Sequence, residues 1–77
     1  MQWLKNSDIR IRLAERIRQL RADRKLTQEK LAQKAGLSLY YVQVLESRQP
    51  KKNATINTLE KLANAFELEV WEFIKFD

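Results

Sequence analysis

In "QEKLAQKAGLSLYYVQVLES", residues 28–47, small and apolar side chains fall at offsets that leave few architectures open. With Gln28 as position 1 of a twenty-residue unit, Ala32 is position 5 and Gly36 is position 9. Leu37, Val42 and Leu45 are positions 10, 15 and 18. A small residue at Ala32 lets two helices cross closely. A glycine at position 36 supplies the left-handed residue that ends a helix. The three apolar residues after it are spaced to fix the angle between the two helices. Thr27 and Ser38 stand where a short oxygen-bearing side chain can accept the unpaired amide hydrogens at each helix start. The stretch therefore reads as two short helices joined by a tight turn.

The rest of the chain supports an all-α fold, a compact five-helix bundle with no confident strand. Glycine and proline occur once each, so boundaries must come from caps and periodicity. Ile9, Leu13, Ile17 and Leu20 draw one apolar stripe on a helix from about Ser7 to Arg24, with Ser7 or Asp8 as its cap. Leu31, Ala32 and Ala35 form the inward face of the second helix. "SRQPKKNA" is polar, contains the proline, and reads as a loop. Thr55 caps a fourth helix whose Leu59, Leu62, Ala63 and Phe66 form a stripe. "LEVWEFIKF" fits a short closing helix, which we favour, or a strand with Leu68, Val70, Glu72, Ile74 and Phe76 on one side. Residues 1–77 are expected to form one domain, with a core over about 9–74 and a short N-terminal extension over 1–7.

Composition removes several function classes. There is no cysteine and no histidine, so disulfides, thiolate metal sites and the commonest general base and zinc ligand are all missing. The carboxylates and lysines that remain form no recognisable catalytic pair, so no enzyme, cofactor or metal is expected. The chain reads as cytoplasmic, because charges interrupt "MQWLKNSDIRIRLAERI" too often for a membrane span or signal peptide. The charge is uneven: residues 1–52 carry 13 Lys/Arg against 5 Asp/Glu, and residues 53–77 carry 2 against 5. A basic first part and an acidic end suit attraction to a polyanion.

Through "RIRQLRADRKLTQEKLAQKAGLS", "YVQVLES" and "TINTLEKLANAF", the chain resembles the lambda-repressor-like, Cro-type helix-turn-helix DNA-binding domains over roughly residues 9–74. The resemblance implies a five-helix bundle with the motif at about 28–47. It further implies a regulator that binds double-stranded operator DNA, often as a homodimer, with its third helix in the major groove. Small single-domain members of this kind include phage repressors and restriction–modification controller proteins. The resemblance also implies an ion pair between Arg21 of the first helix and Glu46 near the end of the third.

With Val42 and Leu45 inward and Tyr41 bordering the core, Leu39, Tyr40, Gln43, Val44 and Ser47 face outward on that third helix. These are the expected base-contacting residues. Gln43 can pair with adenine through its amide, and Leu39 and Val44 can meet thymine methyls. Thr27, Gln28 and Ser38 stand at helix N-termini, where a phosphate is favoured. With Arg48, Lys51, Lys52 and Asn53 of the loop, they are the expected contacts to the DNA backbone.

The pattern departs from the family where aliphatics stand at Leu39 and Val44. It departs again at Lys25, Arg48 and Glu67, sites that often hold glycine. Trp3 and Leu4 precede the first helix, and Trp71, Phe73 and Phe76 follow the fourth. These side chains either cap a small core or, in the last segment, form a homodimer interface, where Trp and Phe are often enriched. Glu67, Glu69 and Glu72 read as its solvated rim. A second reading keeps the fold but turns the apolar third helix towards a protein partner, as an antitoxin does towards its toxin.

Overall fold

A computed structural model of the chain describes residues 8–49 and 52–76. Trp3, Leu4, Ser7 and Lys51 lie outside the described residues. The elements run α1 (Ile9–Asp23), α2 (Gln28–Ala35), α3 (Leu39–Leu45), α4 (Ile56–Ala65) and α5 (Val70–Phe73). The described residues include no strand.

Each of the first four helices starts on a side-chain oxygen. Asp8, Thr27, Ser38 and Thr55 accept the amides of Arg10, Lys30, Tyr41 and Thr58. Satisfying one orphan donor in this way contributes about 1 kcal/mol to each helix. The Asp8 carboxylate also takes the Arg10 guanidinium at 2.7 Å. Hydrogen bonds from the Arg10 side chain and then its amide hold the carboxyl down at about 2, well below its ordinary value. A depressed carboxyl stabilises the fold above its unfolded pKa and loses that contribution as pH falls towards the folded value. Acid should therefore fray the start of α1, beginning below roughly pH 4. A carboxyl NMR titration of Asp8 with an ordinary midpoint would contradict this. The pair lies at the surface and adds little beyond the cap.

Three helix ends share one solution. The residue two past α1, the residue after α2 and the residue two past α4 are left-handed: Lys25 (φ 55), Gly36 (φ 70) and Glu67 (φ 59). In each case the next amide reaches back five residues, Leu26 to Arg21, Leu37 to Ala32 and Leu68 to Ala63, all at 2.9 Å. These paired carbonyl caps stop the helix and reverse the chain. Lysine and glutamate each carry roughly 1 kcal/mol of strain in that conformation. Arg48, the third site at which relatives often carry glycine, is not left-handed.

The core joins Leu13, Ile17 and Leu20 of α1 to Leu31, Ala32 and Ala35 of α2, Val42 and Leu45 of α3, Leu62 and Ala63 of α4, Phe66 beyond it, and Phe73 of α5. Ala14 is also fully buried, whereas Ile9, expected in the stripe, is 60% exposed. The stripe is buried only from Leu13 onwards, and Ile9 lines an open groove with Leu13, Leu59, Ile74 and Phe76.

The last segment is a helix, because the left-handed Glu67 turns the chain before any strand can start. The amide of Glu69 donates to the Glu72 carboxylate at 3.0 Å, which closes the first turn of α5. Glu72 is thus half-buried and structural rather than part of a solvated rim.

The expected interface of Trp71, Phe73 and Phe76 needs correction. Phe73 is fully buried, its ring centroid 5.8 Å from that of Phe66. A side chain that completes the protomer's own core has no surface left for a partner. Phe76 is half-buried beneath the Arg12 guanidinium, 4.8 Å from its ring centroid, and packs on the core. Trp71 is 66% exposed and is the one of the three left facing outward.

Candidate nucleic-acid interface

α3 is held at both ends, which leaves one face free. At its start, Ser38 Oγ accepts the Tyr41 amide at 3.0 Å. At its end, Arg21 Nε and Nη2 donate to the two Glu46 carboxylate oxygens at 2.7 and 2.9 Å. Arg21 Nη1 also donates to the Leu26 carbonyl at 2.8 Å, tying the α1–α2 turn into the same cluster. Arg18 donates to the Glu46 main-chain carbonyl. Two arginines three positions apart on α1 therefore grip Glu46, the C-cap of α3, from one side. The Glu46 side chain is 2% exposed, so the pair lies inside the fold.

Val42 and Leu45 point into the core, and Tyr41 packs beside them. The Tyr41 hydroxyl lies 3.4 Å from both the Asn53 carbonyl and Thr58 Oγ1. Thr58 is buried and bonded in turn to Thr55 Oγ1 at 3.1 Å. This chain of hydroxyls links α3, the loop and the start of α4, and so sets where Asn53 stands relative to α3. Nothing in the sequence pairs these hydroxyls; only the folded arrangement of three elements does.

What remains outward on α3 is Leu39 (37% exposed), Tyr40 (65% exposed), exposed Gln43 and half-buried Val44. No acidic or basic residue lies on the helix. Lys52 Nζ stands 5.7 Å from the centre of the Tyr40 ring, a cation–π contact that joins the loop to this face. Ser47 follows the helix, is half-buried, and its Oγ accepts the Gln49 amide at 3.1 Å.

Thr27 and Ser38 are exposed at the two helix starts, and Gln28 is half-buried beside Thr27. Both hydroxyls already cap their own helices, so each has only its remaining capacity for an outside group. Arg48, Lys52 and Asn53 are exposed on the loop.

The basic charge divides into two sets. Every arginine within α1 has an internal partner: Arg10 on Asp8, Arg12 on Phe76, Arg16 on the Phe73 and Glu72 carbonyls, Arg18 on the Glu46 carbonyl, and Arg21 on its carboxylate. Arg16 caps the last carbonyls of α5, with both bonds at 2.8 Å. The i, i+3 spacing of Arg18 and Arg21 is the one trace of this arrangement in the sequence. Lys30 and Lys34 of α2 and Arg48 of the loop are exposed cations outside this bonded set, and Lys52, also exposed, contacts the Tyr40 ring on the α3 face.

Residues 17–70 match the helix-turn-helix family. Over 58 residues the chain is 40% identical to the immunity repressor protein of Bacillus phage phi105, covering 75% of this chain and 39% of that protein. The chain thus spans well under half the length of that relative. Among solved structures, the restriction–modification controller protein C.AhdI from Aeromonas hydrophila superposes with a TM-score of 0.76 at 33% identity, over 83% of this chain and 94% of that one. The hypothetical transcription factor NHTF from Neisseria superposes with a TM-score of 0.80 at 29% identity, over 90% and 77% of the two chains. No helix among the described residues is long and apolar enough to cross a membrane. With a family match over most of its length and solved relatives that share its fold, the chain belongs to the Cro/C1-type helix-turn-helix family of DNA-binding transcriptional regulators.

Proposed function

We propose that the protein binds double-stranded DNA sequence-specifically, with α3 in the major groove, as a homodimer on a near-palindromic operator. The observation that carries this reading is the free face of α3: Leu39, Tyr40 and Gln43 exposed on a helix fixed at both ends. The major groove admits one such helix and offers it acceptors, donors and thymine methyls. Gln43 is the direct reader, pairing through its amide with adenine. Leu39, Tyr40 and Val44 make the apolar contacts. The N-termini of α2 and α3, at Thr27, Gln28 and Ser38, face phosphates together with Arg48, Lys51, Lys52 and Asn53. These contacts set register without reading sequence. The second copy docks on the side of Trp71 and Ile74, which are 66% and 37% exposed and three positions apart at α5. A two-fold dimer sets its two α3 helices about 34–36 Å apart, one turn of DNA.

Two substitutions separate reading from positioning. Gln43→Ala should cost about 1–3 kcal/mol of discrimination at one base pair and little on unrelated DNA. Lys52→Ala should weaken binding evenly across sequences and flatten the log–log salt slope by about one. Equilibrium titrations at several salt concentrations measure both. An unchanged slope and affinity for Lys52→Ala would rule out the loop as a phosphate contact.

The exposed Leu39 and Tyr40 also favour a second reading, in which the same face binds a protein. Leu39→Arg distinguishes the two. It should abolish an apolar protein contact, whereas general affinity for DNA should hold or rise.

A further inference from the structure

The outward face of α3 has a chemical bias that narrows what it can recognise. The helix sequence, LYYVQVL, carries no charge. It therefore has no guanidinium or ammonium of its own to pair with guanine O6 and N7, the commonest specific contact of such helices. Gln43 supplies the one side-chain amide. The Lys52 ammonium belongs to the loop and is engaged with the Tyr40 ring, 5.7 Å from its centre. Leu39, at the first position of the helix, leaves 37% of its surface in water, and Val44 is half-buried beside Gln43. Aliphatic surface of this kind gains from DNA only where the major groove offers apolar surface. The one such group on an unmodified base pair is the C5-methyl of thymine.

We propose that this protein reads base methylation state: Leu39 and Val44 recognise C5-methyl groups in the major groove, so 5-methylcytosine partly substitutes for thymine at the positions they cover. The inference rests on the reading of α3 as the DNA-binding helix. The chemistry is direct, because 5-methylcytosine presents the same methyl from the same ring carbon as thymine. Deoxyuridine is the converse probe. It keeps thymine's pairing and its O4 acceptor and lacks only the methyl. Burying or exposing one methyl-sized group corresponds to about a fourfold change in affinity.

The test uses the full chain and a duplex that it binds in preference to a scrambled sequence, with dissociation constants from fluorescence anisotropy. Each thymine is replaced in turn by deoxyuridine, and the sensitive T·A pairs are then replaced by C·G and by 5-methyl-C·G. The expected result is a loss of about fourfold at one or more thymines on removing the methyl, and recovery of a similar factor when 5-methylcytosine replaces cytosine there. In Leu39→Ala or Val44→Ala, the thymine–deoxyuridine ratio at one of those positions should fall towards one. A general loss of fold or of phosphate contacts would leave that ratio unchanged. If every deoxyuridine duplex binds as the parent does while the scrambled duplex still binds weakly, the methyl inference is overturned and the DNA-reading role of α3 stands. If the protein distinguishes no duplex from any other, both are overturned.

Discussion

Arg21→Ala should destabilise the protein by about 3–5 kcal/mol, because it strands a carboxylate that the fold has taken out of water. The Glu46 side chain is 2% exposed, and among the described residues Arg21 is the one side chain that donates to its two oxygens, at 2.7 and 2.9 Å. For a domain of this size such a loss lowers the melting temperature by more than about 10 °C. The reverse change should be milder. Without Glu46, Arg21 keeps the Leu26 carbonyl at 2.8 Å and reaches water with the 21% of its side chain that is exposed. Replacing both partners together, Arg21→Met with Glu46→Leu, should recover most of the loss, since a buried pair adds little net stability over a packed apolar one. Thermal melts of the three variants check the order. A change near zero for Arg21→Ala would mean that Glu46 finds another route to solvent. The pair also bears on function: Glu46 is the C-cap of α3, so its anchoring holds the end of the helix that carries Gln43 and Val44.

Phe73→Ala should cost a further 3–5 kcal/mol class of loss, about that of emptying any large aromatic site in a core. Phe73 and Phe66 are both fully buried and pack with their ring centroids 5.8 Å apart, so removing either ring leaves a cavity that a four-residue helix cannot collapse around. Trp71→Ala provides the contrast. With 66% of its surface in water, Trp71 contributes little to the chain's own core, and in the dimer proposed above its removal should instead weaken self-association. Denaturant unfolding at two protein concentrations, with sedimentation equilibrium, separates the effects. Phe73→Ala should unfold more easily at every concentration, whereas Trp71→Ala should lose the concentration dependence. If Phe73→Ala instead left unfolding unchanged, Phe73 would not be a core residue of the protomer.

These two sites mark where the sequence was legible and where it was not. The offsets of Ala32, Gly36, Leu37, Val42 and Leu45 identify the motif because each is imposed by a backbone crossing or turn, and such constraints are local. The capping oxygens of Thr27, Ser38 and Thr55 are legible for the same reason. The roles of Trp71, Phe73 and Phe76 are not. In a helix as short as α5, periodicity samples one turn and cannot say which aromatic faces in. Ile9 fits the stripe of α1 in spacing, yet it is exposed because burial depends on whether another element covers that turn. The arginines of α1 are the other limit. Arg16 and Arg18 donate to main-chain carbonyls, which every residue possesses, so no pattern of side chains announces them. Their charge contributes to a basic total that overstates how much of it is free of internal partners. For the residues proposed to face DNA, spacing separates Leu39, Tyr40 and Gln43 from the core face. It does not reveal that the Ser47 hydroxyl accepts the Gln49 amide in the turn after α3.

The most direct test of α3 as a reading surface is selection of bound duplexes from a random pool, run in parallel with the parent protein and Gln43→Ala. The expected result is a near-palindromic sequence for the parent, with half-sites about 34–36 Å apart, and relaxed preference at one base pair per half-site for the variant. A pool from which the folded parent enriches nothing, or from which both proteins enrich the same sequence equally, would contradict it.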